Sequence, residues 1–196
     1  MVKKVHIFFD FVCPFSFLGI YKLENAVQNT NAKIIWHPYE LSPGSEDTLD
    51  PVKDIEKFKS IKEIILPSAE ELGIFIKFPD ISPYPHTTIA FYGMQYAKEM
   101  NLETQYIEKV FSAFFQEGKN IGDKDVLENI AADIGLDRHK FRDALKYKRY
   151  IELHEKALKY SYDKNISINL IPTYVIGEKI LEGEVKLDDL KTAING

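Results

Sequence analysis

Cys13 stands in the run Phe8-Phe9-Asp10-Phe11-Val12-Cys13-Pro14-Phe15-Ser16-Phe17-Leu18-Gly19 and is the chain's only cysteine. The run begins as a short apolar strand and continues as a helix. Pro14 suits the first helical position, where its missing N–H would have no partner anyway. Cys13 therefore falls at or just before the first turn, faced by unbonded backbone N–H groups and the positive end of the helix dipole. A thiolate gains charge-assisted hydrogen bonds there, so the thiol is expected to be acidic and accessible. Ser16, at the spacing of the second cysteine in a Cys-x-x-Cys motif, can donate its hydroxyl to the thiolate but cannot resolve a mixed disulfide. The plainer reading of a lone cysteine is a small buried hydrophobe; the strand-to-helix turn favours a reactive one. Asp10, if close, would raise the thiol pKa; its expected role is to cap the turn or to be solvated.

A second run, Ile171-Pro172-Thr173-Tyr174-Val175, precedes a late strand. Pro172 either ends a loop or forms a cis bond that lays the bare backbone of Ile171 beside the cysteine. Spacing alone favours the first, since about 5–6% of X–Pro bonds are cis. His6, His37, His86, His139 and His154 lack metal-ligand spacing and read as surface or hydrogen-bonded core residues, with His37 the best pocket candidate. Phe111, Phe114 and Phe115 read as core. Asp47, Asp50 and Asp54 read as loop or helix-start charges.

The elements that must position Cys13 follow from periodicity. Residues 5–9 and 32–37 read as strands, separated by a helix from Pro14 with Leu18, Tyr21, Leu23 and Val27 on its apolar face. Residues 39–51 are a loop. Residues 51–165 are helical. One helix ends before Pro67, and a short turn capped by Ser68 runs to Gly73. Residues 74–85 are irregular. Helices then start at Thr87 or Thr88, at Glu103, after the cap Asp123 and after the cap Asp137, and a last long helix ends near Asp163. Residues 173–176 and 179–182 form a hairpin about Gly177-Glu178. Residues 185–194 close the chain as a helix. The order is α/β, that of a thioredoxin-like fold with a large all-helical insertion, residues 1–50 and 160–196 against 51–159; order alone leaves other α/β sheets open.

The balance of charges narrows the function. The chain has 196 residues, 45% hydrophobic, and a net charge of -5. It has no basic stripe to meet a nucleic acid backbone. One cysteine excludes an internal disulfide framework. No apolar run reaches the ~20 residues of a membrane helix, and the first residues lack a signal peptide's apolar core. The expected location is cytoplasmic, with no metal.

The chain resembles the DsbA-like branch of the thioredoxin superfamily. Within that branch it is most similar to FrnE-like proteins and the 2-hydroxychromene-2-carboxylate isomerase group, with kappa-class glutathione transferases as relatives. The carrying residues are Phe9-Asp10, Cys13-Pro14-Phe15-Ser16 with Gly19, Trp36-His37-Pro38-Tyr39-Glu40-Leu41, and the stretch 111–118. Ile121 with Asp123, Val126-Leu127 and the stretch 171–176 complete them. The oxidoreductases usually carry a second cysteine where Ser16 stands. The isomerases and transferases usually carry serine where Cys13 stands and an Asp-Arg pair late in the chain, where this chain reads Glu182-Gly183-Glu184-Val185-Lys186. The resemblance implies that Cys13 and Ser16 are the catalytic positions and that Pro172 is the fold's cis-proline. Pro14, Phe15, Ile171 and Pro172 would then line the substrate. The implied activity is thiol–disulfide exchange through one cysteine with an external thiol, on a protein or small-molecule thiol or disulfide substrate. Glutathione is the implied co-substrate, and a homodimer is left open. A glutathione-dependent isomerase or transferase, and a non-catalytic binding module, are the alternatives.

Overall fold

The computed structural model describes residues 2–44 and 47–196. Two compact units divide the chain: Met1–Tyr39 with Ala157–Gly196, and Glu40–Lys156.

The first unit is built on β1 (Lys4–Phe9), which sits centrally in the four-stranded order β2-β1-β3-β4. β2 (Lys33–Pro38) pairs with it in parallel, connected through α1 (Pro14–Val27). β3 (Thr173–Ile176) pairs with it antiparallel and continues through Gly177, at φ +62°, into β4 (Lys179–Glu182). Val5, Ile7, Phe8 and Phe9 are buried, as the continuous apolar run demands of a strand covered on both faces. α1 packs against the last helix of the chain, Leu187–Asn195. α1 buries more than one stripe: Phe17, Leu18, Ile20, Leu23 and Ala26 are buried, while Tyr21 and Val27 are only half-buried. Even Lys22 is enclosed, its Nζ donating to Glu184 Oε1 at 2.5 Å and to the Val185 carbonyl at 3.2 Å.

Gly19 marks the closest approach of α1 to the sheet. A Cβ there would stand 2.3 Å from the Tyr174 hydroxyl and 2.9 Å from Pro172 Cγ. Gly19→Ala is expected to destabilise the fold. Alanine gains about 0.5–1 kcal/mol of helix propensity, but overpacking against the fully buried Tyr174 costs about 1–3 kcal/mol. Chemical denaturation measures it. Adding Tyr174→Phe, which removes the nearest atom, should return most of the loss; a Gly19→Ala protein as stable as wild type would show that no close approach exists.

The second unit holds α2 (Ile55–Glu71), α3 (Thr88–Glu99), α4 (Glu103–Phe115), α5 (Lys124–Asp133), α6 (Arg138–Ala144) and most of α7 (Lys148–Leu158). Phe91, Tyr106, Phe111, Phe114, Phe115 and Phe141 fill its core. Two of the expected caps form, Asp123 accepting from Asp125 N–H and Asp137 from Lys140 N–H, while Ser68, expected to cap a separate turn, lies inside α2.

Two expectations fail here. α2 does not end before Pro67 but runs through it to Glu71. Pro67 lies on the solvent side, where the missing amide bond exposes a carbonyl to water rather than orphaning it. The last long helix breaks at Lys159 into α7 and the single turn α8 (Tyr160–Asp163).

Candidate active site

β1 and α1 are joined by Asp10–Cys13, a tight turn closed by Cys13 N–H donating to the Asp10 carbonyl at 3.1 Å. Cys13 is the N-cap of α1, with extended backbone at φ -89°, ψ 114°. Its sulfur does what a capping oxygen does elsewhere, accepting the Ser16 N–H at 3.4 Å. From the other side the thiol donates toward the Ile171 carbonyl at 3.7 Å. Ile171 and Cys13 are 158 residues apart in sequence. The strand β3, antiparallel to β1, brings the segment before it to the end of β1 where Cys13 lies. That segment is tied down: Gly183 N–H donates to the Pro172 carbonyl at 2.8 Å, and the Thr173 hydroxyl donates to the Leu170 carbonyl. The Ile171–Pro172 bond is cis, as is Ser82–Pro83.

The electrostatics of the sulfur correct the expectation of an acidic, accessible thiol. Cys13 is 4% exposed. Burial pushes its pKa from 9.0 to about 11, against the hydroxyl and N–H of Ser16, which favour the thiolate; the nearby Asp10 carboxylate adds to the rise. Asp10 itself is buried, so the solvated reading of that residue fails. Phe11, inside the turn, packs edge-on against Phe9, and Phe9 against Trp36. Below its pKa the sulfur is a neutral thiol. Its reactivity toward an alkylating agent should therefore climb about tenfold per pH unit with no plateau below about pH 10. Asp10→Asn removes one of the groups that raise the pKa, so this variant should alkylate several-fold faster at a fixed pH near 8. Iodoacetamide trapping with mass detection reads both. A plateau near neutral pH, or an unchanged rate in Asp10→Asn, would contradict the account.

Ser16 and Ile171 are buried against the sulfur; Pro14 and Pro172, which follow Cys13 and Ile171 in the chain, are buried, and Phe15 is partly exposed. His37 does not join this group. Its Nε2 lies 2.8 Å from His6 Nδ1, and its ring stacks on Tyr160 at 4.2 Å and on Phe8 at 4.6 Å. His154 is buried against Glu40 at 2.7 Å, stacked on Phe91, and His86 Nδ1 meets the Ser42 carbonyl at 3.0 Å. Sequence reasoning missed both buried histidine pairings. For His6 and His37 a signal existed: in-register parallel strands set residues of even spacing on one face, so His6 and His37 are diagonal neighbours. Glu40 and His154 carried no such signal. Among the described residues no group of three or more histidine, cysteine or acidic side chains is placed to hold a metal, and no helix is long and apolar enough to cross a membrane.

The comparisons with known proteins agree with this architecture. YwbO of Bacillus subtilis (strain 168), an uncharacterized protein, is 39% identical over 195 residues, all of this chain and 97% of its own length. The 2-hydroxychromene-2-carboxylate isomerase of Pseudomonas sp. (strain C18) is 21% identical, across 100% of this chain and 92% of the isomerase. A probable DsbA oxidoreductase from Streptomyces coelicolor shares the fold with a TM-score of 0.86 at 17% identity, over 98% of this chain and 88% of that one. The cytosolic disulfide reductase DsbM from Pseudomonas aeruginosa, solved with glutathione, follows at 0.73 and 14% identity, over 98% and 97%. The family model of the DSBA-like thioredoxin domain matches residues 4–195. With the mixed sheet, the helical insertion and a cysteine at the head of α1, this chain belongs to the DSBA-like thioredoxin domain family.

Proposed function

We propose that this protein is a thiol–disulfide oxidoreductase that works through Cys13 alone. The observation that carries the reading is the place of the sulfur: it caps α1, accepts the Ser16 N–H, and lies beside the Ile171 carbonyl. Cys13 gives its proton to solvent, and the thiolate attacks one sulfur of a disulfide. The substrate S–S bond breaks, the departing thiolate takes up a proton, and Cys13 remains in a mixed disulfide. The chain has no second cysteine to resolve it. An external thiol attacks instead, leaves as the new disulfide, and returns Cys13 to its thiol. The Ser16 N–H and hydroxyl favour the thiolate at both steps.

Glutathione is the external thiol that fits best, a choice supported by the glutathione-bound DsbM neighbour. Pro14 and Phe15 flank the incoming disulfide, and its extended backbone pairs with that of Ile171 beside Pro172. The unit of residues 1–39 and 157–196 carries this chemistry, with 40–156 as the helical insertion, a division about ten residues earlier than the boundary at residue 50 expected from the sequence. A single cysteine and the cytosolic DsbM neighbour support a cytoplasmic location.

A second reading, a glutathione-dependent isomerase, rests on the full-length match to 2-hydroxychromene-2-carboxylate isomerase. In it, Ser16 and the head of α1 would hold the glutathione sulfur as thiolate, and Cys13 would not react. The experiment that decides is incubation with glutathione disulfide followed by intact mass. One glutathione on Cys13, released by excess thiol, supports the exchange reading. A protein that stays unmodified at alkaline pH while isomerising a chromene carboxylate with glutathione overturns it.

A further inference from the structure

At the end of β1 remote from Cys13, a cleft of about 850 Å³ opens in the sheet unit. All of its lining comes from that unit: the start of β1, the segment around α8, the β3–β4 turn and the end of the last helix. In a chain of net charge -5, the cleft gathers four lysines against Glu178 and the carboxylate of Gly196, which lies near Lys179 Nζ. Lys3 is committed, its Nζ donating to the Ile194 carbonyl at 2.6 Å. Lys4, Lys164 and Lys179 form no ion pair among the described residues. Between these charges the wall is apolar and aromatic, with Val175, Ile166 and the Tyr160 ring. His6 reaches the same cleft with its Nδ1 already taken by His37, which leaves Nε2 for a ligand.

We propose that this cleft binds a small organic anion, with its phosphate or carboxylate head among Lys4, Lys164 and His6 and its apolar body against Val175 and Tyr160. Ammonium groups serve here as point charges, which suits a compact anion rather than a planar bidentate one. The histidine pair adds a proton linkage. One N–H lies between His6 Nδ1 and His37 Nε2, so the pair can take up one proton and keep its hydrogen bond, but not two. Burial and then the neighbouring Lys4 hold the His6 pKa below its ordinary value. Lys164 and Lys179 share the cleft and also oppose a charged His6; Glu178 favours it, and Tyr160 stacks on both rings. An anion beside His6 reverses that balance, so its binding takes up a proton and tightens as pH falls toward about 6. The site is separate from Cys13 and does not depend on the thiol chemistry proposed above.

Phenyl phosphate is the probe, titrated into the full chain by calorimetry and by amide NMR, with phenol and inorganic phosphate alongside. Phenyl phosphate should bind most tightly, shifting the amides of Ile166 and Gly177 and leaving those of Phe15 and Ile171 in place. The double variant Lys4→Gln, Lys164→Gln changes only exposed side chains and should weaken binding about tenfold, the sum of two screened surface charges. His6→Gln, which keeps a partner for His37, should abolish the proton uptake seen when calorimetry is repeated in buffers of different ionisation enthalpy. Each of four results overturns the site: no saturable binding, phenol binding as well as phenyl phosphate, an unchanged affinity in the lysine variant, or shifts centred on Phe15.

Discussion

Cys13→Ser is expected to bring the turnover of a glutathione mixed disulfide down to the uncatalysed rate, a complete loss of the protein's own contribution if the sulfur is the nucleophile. Serine keeps an acceptor for the Ser16 N–H and is slightly smaller, so the fold should persist with a stability change of about 1 kcal/mol or less. Because the chain has no other cysteine, no second thiol can stand in. The wild-type rate has a distinctive form. With the pKa pushed up from 9.0 to about 11, the thiolate fraction at neutral pH falls about a hundredfold relative to an unburied thiol. The same rise makes the thiolate a better nucleophile; with a Brønsted slope of about 0.4–0.5 it recovers about tenfold. The net is a site about tenfold slower than a solvated thiol until substrate binding or opening exposes the sulfur, with a rate that climbs through the whole neutral range. Steady-state assays with a glutathionylated peptide and free glutathione, run against pH, measure both. Activity retained in Cys13→Ser above the uncatalysed rate would move the mechanism to the isomerase reading. A wild-type plateau at neutral pH would mean that burial does not govern the thiol.

Local chemistry explains which parts of the structure could be read from the chain. Asp123 and Asp137 announce helices because a capping carboxylate acts on amides two or three residues away. Gly177 announces the hairpin because its left-handed φ is open to few other residues. Pro14 places the start of α1 in the same way. Pro67 misleads because its cost depends on what faces the freed carbonyl, and here that is solvent. The break at Lys159 carries no proline or glycine at all.

The site divides along the same line. That Cys13 heads a helix is local, and so is its pairing with the Ser16 amide. That Ile171 lies against it is not: sequence spacing favoured an ordinary loop proline, and only the family resemblance pointed to contact. The acidity of the thiol was misjudged for a related reason. The helix terminus and Ser16 are visible in the sequence and lower the pKa. The burial that outweighs them is a product of the fold, which leaves Cys13 4% exposed and brings Ile171 from 158 residues away against it, and the enclosed Asp10 carboxylate adds to the rise.

Ser16→Cys is expected to convert the protein from a monothiol into a dithiol reagent. Residues i and i+3 at a helix start lie about 5 Å apart at Cα, inside the Cα span of about 4.4–6.8 Å that a disulfide bridges. The Cys13 sulfur already leans toward residue 16, accepting its N–H at 3.4 Å. A second thiol there attacks the Cys13 mixed disulfide from within the molecule, at an effective concentration of at least about millimolar. External thiol is then no longer needed for the resolving step. The stoichiometry changes with it. In the wild type one protein thiol and one glutathione disulfide give one mixed disulfide and one glutathione, so the equilibrium is indifferent to dilution. In the variant two glutathiones leave per internal disulfide, so dilution at a fixed ratio of the two drives oxidation. Insulin reduction with a dithiol should rise from near background by about tenfold or more as the unimolecular step replaces the bimolecular one. Quantifying free thiols and adducts by mass across a dilution series decides the matter. A variant that keeps one stable glutathione adduct would show that residue 16 does not reach the sulfur. A wild type whose oxidation already follows dilution would refute the monothiol mechanism.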